Sequence, residues 1–81
     1  MAAMKVHKVE VLWLDASGMP GWFLNEEAKV TVLATIQSIG YLISKDSKHV
    51  RIAQSINQSD NCLGDVLTIP RCQVQKIRNV R

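Results

Sequence analysis

The side chains able to do chemistry are few: Cys62 and Cys72, His7 and His49, and seven carboxylates. Two cysteines are too few for a disulfide framework or a four-ligand zinc site, and neither histidine stands in ligand spacing with them. A bridge between Cys62 and Cys72 would close a short loop, but with no export signal in view the expected state is two reduced thiols. Glu26 and Glu27 are adjacent and point in different directions on a helical turn, which suits them poorly as an acid/base pair. They suit the first turn of a helix, where the macrodipole favours negative charge. Asp15 closes an apolar strand at a loop entrance, the place of an Asx-turn. No Ser, His and acid set is suggestively spaced, and Gly18 and Gly21 lack the following helix that a phosphate-cradling loop needs. The expectation is a chain with no catalytic residue, no metal and no cofactor, hence not an enzyme.

Two groups of residues are better suited to binding. Arg71, Lys76, Arg78 and Arg81 lie in the last eleven residues with no acid among them, so that stretch carries +4 while the other seventy residues sum to −1. Lys76 and Arg78 are two apart and share one face of a strand. They could form a surface for nucleic acid, a nucleotide or another anion, or they could guard a sheet edge against pairing. Four charges fall short of a nucleic-acid footprint, and no aromatic residues are interleaved with them. The second group is Met19, Trp22 and Phe23, on or beside a Pro/Gly loop. Trp and Met are favoured anchors for a protein partner, though in so small a domain they could equally fold back as a cap on the core.

The elements that must position these groups are mostly strands. The chain has 81 residues and 9.1 kDa, with 47% hydrophobic and 21% charged residues, the profile of one globular domain spanning 1–81. No apolar run is long enough to span a membrane, and the N-terminus shows no signal-peptide pattern. Residues 6–14 read as a strand with Val9, Val11 and Trp13 on one face. Residues 15–21 form a loop, and Asn25 is placed to cap a one-turn helix that includes Glu26 and Glu27. Residues 29–44 alternate as a long strand, with Gly40 marking a bend. A helix over 24–37 would give a mixed α+β sheet instead, but Val30, Thr31, Val32, Thr35 and Ile36 are all β-branched and argue for strand. A polar turn over 44–48 leads into a strand over 49–56, making a hairpin. Residues 57–65 read as a long polar loop and 66–69 as a short strand stopped by Pro70. A tight turn over 71–73 then leads to a last strand over 74–80.

The run Leu67-Thr68-Ile69-Pro70-Arg71-Cys72-Gln73-Val74 resembles the end of an SH3-like barrel, where a strand, a single 3₁₀ turn and a closing strand follow one another. The bent strand at Gly40 is similar to that of Sm-like barrels. With Trp13-Leu14-Asp15, Ser38-Ile39-Gly40-Tyr41-Leu42 and Ile52-Ala53-Gln54-Ser55, the chain also resembles small bacteriophage- and prophage-encoded proteins. The resemblance implies a mainly β fold, a five-stranded SH3-like or Sm-like barrel with a one-turn helix and a 3₁₀ turn before the last strand. It further implies a binding module in a bacterial cytoplasm that contacts a protein partner, such as a host factor, or sequesters a nucleotide. The chain departs from peptide-binding SH3 domains, because Cys72 and Gln73 stand where their Tyr follows the Pro and four aromatic residues cannot line a polyproline groove. A barrel of this size buries only about 60–65% of its unfolded surface, and the strand over 9–14 is apolar on both faces. A homo-oligomer is therefore expected, with a dimer the favoured form.

Overall fold

The structure, a computed structural model, describes residues 6–30 and 32–80. Five strands follow in order: β1 (Lys8–Asp15), β2 (Ala34–Lys45), β3 (His49–Asn57), β4 (Cys62–Pro70) and β5 (Val74–Asn79). A one-turn helix, α1 (Asn25–Ala28), sits between β1 and β2, and a 3₁₀ turn (Arg71–Gln73) joins β4 to β5. The strands make a single antiparallel sheet in the order β4-β3-β2-β1-β5. β4 and β5 are its two edges and do not pair with each other.

β2 serves two partners in turn. As far as Tyr41 it pairs with β1, from Asp15↔Ala34 to Lys8↔Tyr41. From Tyr41 onward it pairs with β3 as well, beginning at Tyr41↔Ala53. Downstream of Ala53, β3 pairs with β4 alone. The sheet therefore splits at Gly40 into two leaves that share only the bent strand. Gly40 is needed at the corner because a Cβ there would lie 2.7 Å from the Ala53 carbonyl oxygen. The register irregularity comes two residues later, between Leu42 and Ser44.

The leaves close on one core. Val9, Val11 and Trp13 from β1 meet Val50 and Ile52 from β3 and Ile69 from β4, with Ile36, Leu42, Val74 and Ile77 packed against them. The alternation of β1 places these residues on one face, as its sequence pattern implies. Trp13 satisfies its indole by donating to Ser38 Oγ at 3.1 Å.

Several boundaries differ from the sequence expectation. β2 begins at Ala34 rather than Lys29, leaving Val30 and Val32 outside the sheet. Asn25 is the first helical residue, and the N-cap is Leu24, with no side-chain cap. The stretch 57–65 is not a long loop. Asn57 Oδ1 accepts the Ser59 N–H, Asp60 Oδ1 accepts the Cys62 N–H, and Asn61 takes φ 58°. These bonds and the left-handed residue close the turn in four residues, so β4 is nine residues long. Cys62 and Cys72 are unbridged and exposed.

Candidate functional site

The connection between β1 and β2 is an arm of residues 16–33. Its base is fixed by the Asp15↔Ala34 pair and by Ser17 Oγ donating to the Val32 carbonyl. Every described residue from 16 to 33 is exposed. Trp22 is exposed to 101%, as open as in an extended peptide, and Val30 and Val32 reach 77% and 79%. Met19, Phe23, Leu24 and Leu33 are exposed too. Gly21, at φ +112°, turns the chain so that the Phe23 ring lies over its backbone. α1 adds Glu26 and Glu27 at its start, and Lys29 pairs with Glu26 at 3.6 Å in solvent. Met19, Trp22 and Phe23 thus stand together on the arm, and Trp22 covers nothing in its own chain. Leu24, Val30, Val32 and Leu33 are further exposed apolar side chains of the arm. The alternation of the last three reads as strand, which is why sequence alone did not assign them to it.

The basic residues are placed differently from one another. Arg78 is held by Glu10, with Nε 2.7 Å from Oε1 and Nη2 3.1 Å from Oε2. Glu10 is only 5% exposed and also accepts from the Gln37 side-chain amide. Arg78 first, and Gln37 next, hold the Glu10 carboxyl below its ordinary value. Lys76 lies opposite Leu12 on the same face and is exposed. Arg71 is half-buried, and its Nη1 is buried without a hydrogen-bond partner among the described residues. Its backbone N–H donates to the Lys48 carbonyl at 2.8 Å, which brings it to the β2–β3 turn rather than to Lys76. Arg81 lies outside the described residues.

That turn gathers further polar groups. Asp46 Oδ1 accepts the Lys48 and His49 N–H groups at 2.8 and 2.7 Å, the Lys48 bond first among the causes that lower its carboxyl. Arg51 reaches Ser44 Oγ at 3.2 Å and Asp46 at 3.6 Å. Lys48 beside Arg71 was not singled out from sequence, because only the fold joins residues 48 and 71.

A groove of about 580 Å³ opens where the leaves part, lined by residues 37–39 of β2, Ile52 and Gln54 of β3, and residues 65–67 of β4. Ile39, Val66 and Leu67 are its exposed apolar residues, and Asp65, at φ 55°, marks its rim. Among the described residues no group of three or more His, Cys, Asp or Glu could hold a metal, and no helix is long and apolar enough to cross a membrane. No protein-family model, curated protein or solved structure matches the chain.

Proposed function

We propose that this is a small non-enzymatic binding module that acts through protein–protein contacts made by the β1–β2 arm. The observation that supports it is the arm itself: an indole with no cover, on the same arm as Leu24, Val30 and Val32, which are largely exposed as well. Exposed apolar patches of this kind mark interaction sites, and Trp is the commonest anchor. Pro20, whose ring fixes its φ, restrains the arm near Trp22, which lowers the ordering cost of docking. The split sheet with its 3₁₀ turn fits an SH3-like or Sm-like small barrel. With the resemblance to phage and prophage proteins, this favours a module that modulates a host factor in a bacterial cytoplasm. The test is photo-cross-linking in living cells from a reactive residue at position 22, with position 47 in the β2–β3 turn as control. A discrete polypeptide cross-linked from 22 and not from 47 is expected. Equal or absent cross-linking from both would overturn the reading.

A second reading is nucleic-acid or nucleotide binding through the cations at the β2–β3 turn, Arg71 and Lys48. It is favoured by one observation, the bond from the Arg71 N–H to the Lys48 carbonyl, which joins two cationic residues at the β2–β3 turn. Oligonucleotide affinity falling steeply with salt, and lost in Arg71→Gln, is the outcome it requires.

A further inference from the structure

We infer that the end of the sheet made by the β2–β3 turn and the 3₁₀ turn docks on the sugar–phosphate backbone of a nucleic-acid duplex, without regard to its sequence. This rests on the second reading above and names its ligand; it leaves the arm to a partner of its own. The observation is where the charge sits. Lys45, Lys48, Arg51 and Arg71 gather at this end with one acid, Asp46, and the other six Lys and Arg are matched by six Asp and Glu. The whole net charge of +3 thus belongs to this end of the molecule. Asp46 spends its carboxylate on the Lys48 and His49 N–H groups and on Arg51. Lys45, Lys48 and Arg71 have no acidic partner among the described residues.

The fold sets these three cations side by side. Lys45 pairs with Val50 and Val50 with Ile69, and the Arg71 N–H bonds the Lys48 carbonyl two residues further along. At about 4.8 Å between strands and about 3.3 Å per residue, the backbones of Lys45 and Arg71 lie roughly 12 Å apart. A duplex carries one negative charge per roughly 1.7 Å of its axis, so a span of that length meets several phosphates. The make-up of the turn selects this partner over other polyanions. Residues 44–48 are Ser-Lys-Asp-Ser-Lys, with no apolar side chain to bury against a protein or to insert into a bilayer. Lys, Arg and Ser are the side chains that phosphate oxygens commonly take. Neither turn holds a Trp, Tyr or Phe on which the bases of a single strand could stack, which favours the paired form.

The experiment titrates the full chain into two fluorescently labelled DNA duplexes of unrelated sequence, read by anisotropy from low to moderate salt. Equal affinity for the two is expected, with log K falling against log salt at a slope of about −2.7, the value for three phosphate contacts. Lys45→Gln and Lys48→Gln should each flatten that slope by about 0.9. Lys76→Gln, which removes a cation of β5, should leave it unchanged. All three positions are exposed, and retained far-UV circular dichroism shows that the variants fold. Equal flattening by Lys76→Gln makes net charge, and not the turn, the cause and overturns the inference. Tighter binding to the corresponding single strand, or a preference for one duplex, overturns it too. Saturable binding of ATP without binding of either duplex overturns the inference and leaves the nucleotide reading standing. Binding of neither duplex nor ATP overturns both.

Discussion

At the scale of single residues, the clearest demands come from Gly40 and Glu10. A methyl group at Gly40 meets the Ala53 carbonyl oxygen at 2.7 Å and Ile52 Cβ at 3.3 Å. Both neighbours are held by the sheet, so Gly40→Ala forces the leaves apart. It should cost about 1–3 kcal/mol, the usual range for overpacking, read as a lower urea midpoint. Glu10 sets an acid limit on stability. Its carboxyl ordinarily titrates near 4.5 and is lowered in the folded chain, chiefly by Arg78. A depressed carboxyl contributes stability above its unfolded value, and that contribution is lost as pH falls through the folded value. Arg78→Gln removes the main cause of the depression. Acid unfolding should then begin at a higher pH than in the native chain, while Lys76→Gln, whose effect on Glu10 is the smallest, should shift it less. Equal shifts in the two variants would show that general charge, and not the Arg78–Glu10 pair, sets the acid limit.

At the scale of elements, the arm and the sheet should be separable. The described residues of 16–33 include no core residue, and the base of the arm is closed by Asp15↔Ala34. Replacing residues 17–32 by Asn-Gly leaves a two-residue hairpin loop of the favoured type. Shortening the loop this far lowers closure entropy by about 1–2 kcal/mol, so the shortened chain should remain folded with native strand content. In contrast, Ile69→Ala, which empties a fully buried site, should cost about 2–5 kcal/mol. Loss of the fold on removing the arm would mean that it covers the core after all. The same elements show how far sequence reaches. The face shared by Val9, Val11 and Trp13 and the tight turn after Pro70 are local patterns and were legible, as was the turn expected over 44–48, which narrows to 46–48 because β2 runs on to Lys45. The start of β2 was not, because Val30 and Val32 alternate as well as Thr35 and Ile36 do. What ends the strand is its partner: β1 leaves the sheet at Ala16, so nothing upstream of Ala34 has a ladder to join. The exposure of Trp22 and the pairing of Glu10 with Arg78, 68 residues apart, depend likewise on which segments meet. No local pattern encodes that.

At the scale of the whole molecule, the question is how so small a chain holds together. Its buried hydrophobic core among the described residues is seven side chains, one of them an alanine. The radius of gyration is 16.6 Å against about 12 Å for a compact chain of this length, so the chain is not drawn into a single ball. A small core with a large apolar surface outside it is the arrangement in which association supplies stability. If the chain forms the dimer expected from its sequence and the arm makes the contact, unfolding and dissociation are linked, and mass action makes the melting temperature depend on concentration. A tenfold rise in concentration adds about 1.4 kcal/mol per dimer, half of that per chain. For a domain of this size the melting temperature should then rise by roughly 3–5 °C per tenfold. Trp22→Ala should remove that slope. At the lowest concentrations, where the native chain is also monomeric, the variant should match it within about 0.5 kcal/mol, because a fully exposed side chain contributes little to the isolated fold. A native chain whose melting temperature is flat over a hundredfold range would show that the core of seven side chains suffices alone.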